Sequence, residues 1–221
     1  MTRTKNNIVM IIDYGSGNLR SAAKAFEHVI AENQLDFEVL VSNKAEDLKR
    51  ASHIVLPGQG AFGDCMAGLQ AVPHMIEALE RVVLEDKKPF LGICVGMQLL
   101  ATRGLEYGTH EGLGWIDGEV VPLAPDDKTL KIPHMGWNEV YFDQGTGHPA
   151  LKNQKNTPYF YFVHSFMFQC KNKENIYGHA DYGGNVTAIV GRDNIIGVQF
   201  HPEKSQEAGL QLCHDFLRWN P

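Results

Sequence analysis

The chain has 221 residues, 43% of them hydrophobic and 21% charged, with 20 Lys and Arg against 26 Asp and Glu for a formal net charge of −6. This length suits one α/β domain, residues 1–221, with an ample core. The acidic balance without a Lys/Arg-rich run excludes a nucleic-acid partner, and no apolar run nears the ~18 residues that would cross a membrane.

The first seven residues, Met1 to Asn7, lack the apolar region of a signal peptide. Cys65, Cys94, Cys170 and Cys213 lie far apart with no Cys-x-x-Cys pair. Reduced thiols and a cytoplasmic location are therefore expected, and a disulfide framework, a metal site or a cofactor is not.

Residues 8–12 form a continuous apolar run, the pattern of a strand buried on both faces of a parallel sheet. The turn-rich loop Asp13 to Asn18 follows, and from Leu19 the apolar spacing is helical through Ala22, Ala23, Phe26, Val29 and Ile30. Gly15-x-Gly17 lacks the third glycine of a dinucleotide loop and reads as a surface loop at a strand's carboxyl end. Strands are expected at 37–41 and 53–56, with a short helix at 45–50 between them. The third strand runs into Pro57-Gly-Gln-Gly-Ala-Phe-Gly-Asp64. Such a turn is either a tight strand-to-helix connection or a backbone free to offer N–H groups to an anion. Helices are then expected at 66–70 and 73–85.

Residues 89–93 read as a buried strand and 95–101 as a helix. Between them stands Gly92-x-Cys94-x-Gly96, the cysteine form of a nucleophile elbow. The helix start would aim N–H groups and a positive dipole end at the sulfur, favouring thiolate. Beyond it the pattern changes to β-like runs at 118–123, 139–142, 158–168, 176–181, 186–190 and 195–200, read as antiparallel sheet appended to a parallel core. The last helix starts near Ser205, an N-cap with Glu207 in the first turn, and buries Leu210, Cys213, Phe216 and Leu217.

A thiolate nucleophile needs a base, and the base needs an acceptor to orient it. Of ten histidines, His201 stands at the carboxyl end of a buried run, the edge where the elbow would present Cys94. Pro202 holds its backbone extended, so Glu203, two residues on, projects to the same side. Donors for an oxyanion are available in the N–H of Val95 and the turn Gly58-Gln59-Gly60. The residues alone give a cysteine hydrolase or acyl transferase in the order Cys, His, Glu.

Gly92-Ile-Cys94-Val-Gly-Met-Gln98 with His201-Pro-Glu203 resembles the class I (triad) glutamine amidotransferases. Within that family, Asp13-Tyr-Gly-Ser-Gly-Asn-Leu-Arg-Ser21, Pro57-Gly-Gln-Gly-Ala-Phe-Gly-Asp64, Pro133-His-Met-Gly-Trp-Asn138 and Tyr161-Phe-Val-His-Ser165 are similar to the glutaminase subunits of imidazole glycerol phosphate synthase. The resemblance covers the whole chain. It implies a flavodoxin-like α/β fold, a mostly parallel central sheet flanked by helices with an appended antiparallel sheet. It also implies L-glutamine as substrate and a (β/α)8 barrel cyclase as heterodimer partner that receives the ammonia. By matching position Gln98, Glu106 and Ser165 would hold the glutamine, and Asn18, Met135, Trp137, Asn138 and Lys204 would lie at the partner face or ammonia passage. Gln59 stands where the family usually has Val, and Phe166 where relatives often have Tyr. The isolated chain is expected to keep the Gln59 N–H turned away from Cys94. Two other readings compete: the glutaminase of a diverged synthase aminating another sugar or nucleotide, and a binding subunit in which the triad persists as scaffold.

Overall fold

The computed structural model describes residues 7–142, 147–154 and 157–221; residues 1–6, on which the expectation of no signal peptide mostly rests, lie outside them. Apolar runs become the parallel strands β1 (Asn7–Ile12), β2 (Phe37–Ser42), β3 (His53–Gly58) and β4 (Phe90–Cys94). Their crossovers use α1 (Leu19–Glu32), a 3-10 turn at Ala45–Lys49, then α2 (Phe62–Ala71), α3 (Met75–Leu79) and a π-type segment at Glu80–Glu85. The one-turn helix α4 (Val95–Gln98) follows β4.

The next stretch is mostly β. It holds β5 (Arg103–Gly104), β6 (His110–Glu111), β7 (Gly118–Pro122), β8 (His134–Glu139), β9 (Tyr141–Phe142), β10 (Tyr159–His164) and β11 (Phe166–Cys170). It closes with β12 (Ile176–Asp181), β13 (Asn185–Arg192) and β14 (Ile195–Val198) before α5 (Gln206–Arg218).

One sheet runs β2-β1-β3-β4-β14-β13-β12-β9. Its first five strands are parallel, and β13, β12 and β9 extend it antiparallel. The expected antiparallel appendage is thus partly a continuation of the main sheet and partly two smaller ones, β10 with β8 and β11-β7-β5-β6. β14, the last strand in sequence, inserts at the centre between β4 and β13. Val9 to Ile12, Ile54 to Leu56 and Phe90 to Leu91 have no exposed surface, as strands covered on both faces require. On one face α1 packs against α5, with Phe26 edge-on to Phe216 at 6.2 Å.

Several expected boundaries move. The 95–101 helix stops at Gln98, because Leu100 and Ala101 bond only three residues back and tighten into a turn. Their apolarity serves burial, not a helix face. The 66–70 helix starts earlier, at Phe62. The 73–85 helix starts at Met75, after His74 at φ 59°, and widens into the π-type segment. The 139–142 run is cut, Glu139 ending β8 and Tyr141 opening β9. The 158–168 run breaks at Ser165 into strands of two different sheets. In α5 Leu212 and Asp215 join Cys213, Phe216 and Leu217 on the buried face, while Leu210 is half-buried.

Candidate active site

Register brings the distant segments together. Pairing of β3 with β4 sets Gly58 opposite Cys94, and pairing of β14 with β4 sets Val198 opposite Ile93. His201 therefore leaves the sheet at the same carboxyl edge as Cys94. Cys94 itself sits at φ 54° and ψ −113°, a backbone rarely adopted by a side-chain-bearing residue, and is buried at 5% exposure. The turn closes only because residue 96 is glycine: a Cβ there would meet the Leu56 carbonyl oxygen at 1.8 Å. A helix of one turn supplies little macrodipole, so any aid to the sulfur comes from local groups.

His201 is buried, and its Nδ1 lies 2.9 Å from Glu203 Oε1. The Glu203 side chain is only 3% exposed. Its Oε2 and the His201 Nε2 are buried with no ordinary hydrogen bond among the described residues. Burial acts to lower the His201 pKa, but the adjacent Cys94 thiol and then Glu203 outweigh it and raise the value to about 9. Ser205 gives α5 no side-chain cap; its hydroxyl donates instead to the His201 carbonyl at 2.6 Å and accepts from Tyr161 N–H at 3.0 Å.

The glycine turn is held from behind. Gln59 N–H donates to Ser16 Oγ at 3.0 Å, and the same hydroxyl donates to the Gln59 carbonyl at 2.6 Å. The Cys65 thiol donates to that carbonyl at 3.4 Å, and Tyr14 donates to the Pro57 carbonyl at 2.8 Å. The Gln59 N–H is thus committed to Ser16 and not to the Cys94 side. Ser16 was not singled out in the sequence, because its partners lie 43 residues away.

A cavity of about 260 Å³ opens over the sulfur, lined among others by Gln59, Gly60, Cys94, Val95, Gln98, Glu106, Ser165, His201 and Lys204. Gln98 is buried, not solvated, and its Nε2 donates to Phe166 O and to Gln199 Oε1 at 3.2 and 3.0 Å. Glu106 Oε2 accepts from Phe62 N–H at 2.8 Å, at the start of α2. Ser165 is the break between β10 and β11, with its carbonyl taken by Leu123 N–H at 2.9 Å. His164, also on the wall, pairs with His134 at 2.9 Å, and burial first, then mutual charge repulsion, lowers the His134 pKa to about 4.

The residues expected at a partner face do not behave alike. Met135 and Trp137 project from β8, 61% and 48% exposed. Asn138 turns inward, its Nδ2 on the Asp181 carbonyl at 2.8 Å and its Oδ1 taken by Glu139 N–H. Asn18 is half-buried at the start of α1, where its carbonyl rather than its side chain serves the helix. Lys204 is exposed and holds its ammonium 5.8 Å over the Tyr161 ring. Cys170 and Cys213 are raised by burial, Cys170 to about 12, which keeps both as thiols. Among the described residues no group of three or more His, Cys, Asp or Glu is placed to hold a metal ion, and no helix is long and apolar enough to cross a membrane.

A family model described as glutamine amidotransferase class-I matches residues 10–218. The imidazole glycerol phosphate synthase subunit HisH of Rhodospirillum rubrum is 51% identical over 213 residues, covering 96% of this chain and 99% of that one. The subunit of the same name from Zymomonas mobilis is 48% identical over 221 residues, the whole of both chains. A solved glutamine amidotransferase superimposes with a TM-score of 0.69 at 16% identity, covering 95% of this chain and 97% of that one. A glutamine amidotransferase of Thermotoga maritima gives 0.62 at 17% identity, over 90% of this chain and 76% of that one. These two likenesses bear on the fold.

Proposed function

The chain belongs to the class-I glutamine amidotransferase family, and from that we propose that it is the glutaminase subunit of an imidazole glycerol phosphate synthase, with Cys94, His201 and Glu203 as its catalytic triad. Identity near one half to HisH subunits over the full length supports the subunit type. The triad rests on one observation: His201 is buried between the Cys94 thiol and the Glu203 carboxylate at a shared sheet edge.

Cys94 Sγ attacks the side-chain amide carbon of L-glutamine, and His201, held by Glu203, takes the thiol proton. The N–H of Val95 and the turn Gly58-Gln59-Gly60 receive the oxyanion. His201 returns the proton to the leaving nitrogen, ammonia departs, and a glutamyl thioester stays on Cys94. Water activated by His201 then releases glutamate. Gln98, Glu106 and Ser165 hold the polar ends of the glutamine.

Met135 and Trp137 face a barrel cyclase in a cytoplasmic heterodimer, with Asn18, Asn138 and Lys204 at or near that face or the ammonia passage. Ammonia passes to that partner, where phosphoribulosyl formimino aminoimidazole carboxamide ribotide becomes imidazole glycerol phosphate and the aminoimidazole carboxamide ribotide. The Ser16 bonds to Gln59 support a resting turn that docking must release. Two measurements test this reading. A glutamine-like affinity label followed by mass spectrometry is expected to mark Cys94; label on another thiol with Cys94 untouched refutes the nucleophile. Glutamine hydrolysis is expected to rise sharply when cyclase and ribotide are added, and equal rates refute the resting turn.

A further inference from the structure

Gln199 is fully buried two residues before His201, in a strand edge that is otherwise apolar. A carboxamide at such a place is costly unless both ends are bonded. Both are. Its Oε1 accepts from Gln98 Nε2 at 3.0 Å, and its Nε2 donates to Cys94 Sγ at 3.7 Å.

The orientation is forced by the acceptors around it. The Phe166 carbonyl can only accept, and it faces Gln98 at 3.2 Å, so Gln98 must turn its nitrogen that way. That nitrogen also faces Gln199, which must answer with its oxygen. The remaining end of Gln199, an N–H, is left for the sulfur. The Phe166 carbonyl is itself fixed by a second donor, His164 Nδ1 at 2.9 Å.

We propose that Gln199 is a positioning residue, whose amide N–H holds the Cys94 sulfur toward His201 and favours its thiolate. A donor to sulfur bonds the anion more strongly than the neutral thiol. Because Gln98 grips the other end of Gln199 and also lines the cavity, the hold on the nucleophile is tied to the wall of the substrate pocket. This inference rests on Cys94 being the nucleophile.

The test uses the full chain as wild type, Q199M and Q199E, treated with iodoacetamide from about pH 5 to about pH 10, with Cys94 modification read by mass spectrometry. Methionine keeps the volume and removes the donor. The pH of half-modification is expected to rise by about one unit, and kcat with the cyclase to fall about tenfold while KM stays within about twofold. Glutamate sets a carboxylate beside the sulfur, so a larger rise is expected, and it carries the test if Q199M does not fold. A folded variant with an unmoved profile and unchanged kcat overturns the proposal. Wild-type Cys94 that takes no label at any pH, while the exposed thiols of the unfolded chain do, overturns the assignment of the nucleophile and this inference with it.

Discussion

The Cys94 backbone, at φ 54° and ψ −113°, holds a conformation costing on the order of 1–3 kcal/mol that the surrounding sheet must offset. The return is a sulfur held up at the sheet edge beside His201. Replacing Cys94 by Ala removes the thiol that supports the His201 pKa, so an NMR titration of His201 in that variant is expected to fall well below about 9. Replacing Ser16 by Ala removes two of the three bonds that hold the Gln59 peptide and leaves the one from the Cys65 thiol. At about 0.5–1.5 kcal/mol for each bond the two together hold the turn by about 1–3 kcal/mol, so hydrolysis of glutamine by the chain alone is expected to rise about five- to 150-fold. The meeting of Cys94, His201 and Glu203 at one sheet edge was legible because glycine spacing, strand ends and an i, i+2 relation all lie close in sequence. Ser16 and Gln199 were not, since a serine in a turn and a glutamine in a strand gain meaning only from partners 43 and 105 residues distant.

At the level of elements, α4 and β3 are in backbone contact, and residue 96 has no room for a methyl group. Gly96→Ala is expected to push β3 from β4, lowering the melting temperature by about 10 °C or more and abolishing activity, as circular dichroism and glutamate release can check. The parallel strands were legible because burial on both faces writes itself as unbroken apolar runs. β8 was not, because Met135 and Trp137 point outward while His134 points inward, which inverts the usual alternation. Outward apolar side chains on a paired strand need a cover. Trp137→Ala is expected to leave the melting temperature unchanged and to weaken binding of the barrel cyclase about ten- to a hundredfold in calorimetric titration.

Across the whole molecule, buried histidines set the acid limit. Burial lowers His53, His148 and His164 to about 4, and burial with the His164 charge does so for His134. An unfolded histidine titrates near 6.5, so between about 6.5 and about 4 the unfolded chain binds more protons and stability falls with the pH. His201 has the opposite sign. Its raised pKa contributes stability below about 6.5, and this is lost as pH climbs through about 9. Urea midpoints are therefore expected to be highest between these limits and to fall on both sides; a flat profile through pH 5 would refute the neutral pairing of His134 with His164. None of this was legible in ten scattered histidines, because only tertiary burial separates the four neutral rings from the charged one.

The place of β14 has a further consequence for the chain as it is made. Cys94 leaves the ribosome more than a hundred residues before His201, and the strand that leads to His201 fills the middle of the sheet, not its rim. Until it arrives, β4 has an open edge and the Cys94 thiol has no histidine beside it. If Cys94 and His201 act as proposed, a nascent or truncated chain is therefore chemically mute, unable to consume glutamine or leak ammonia before β14 is in place. Closing the sheet and bringing His201 to Cys94 are one event.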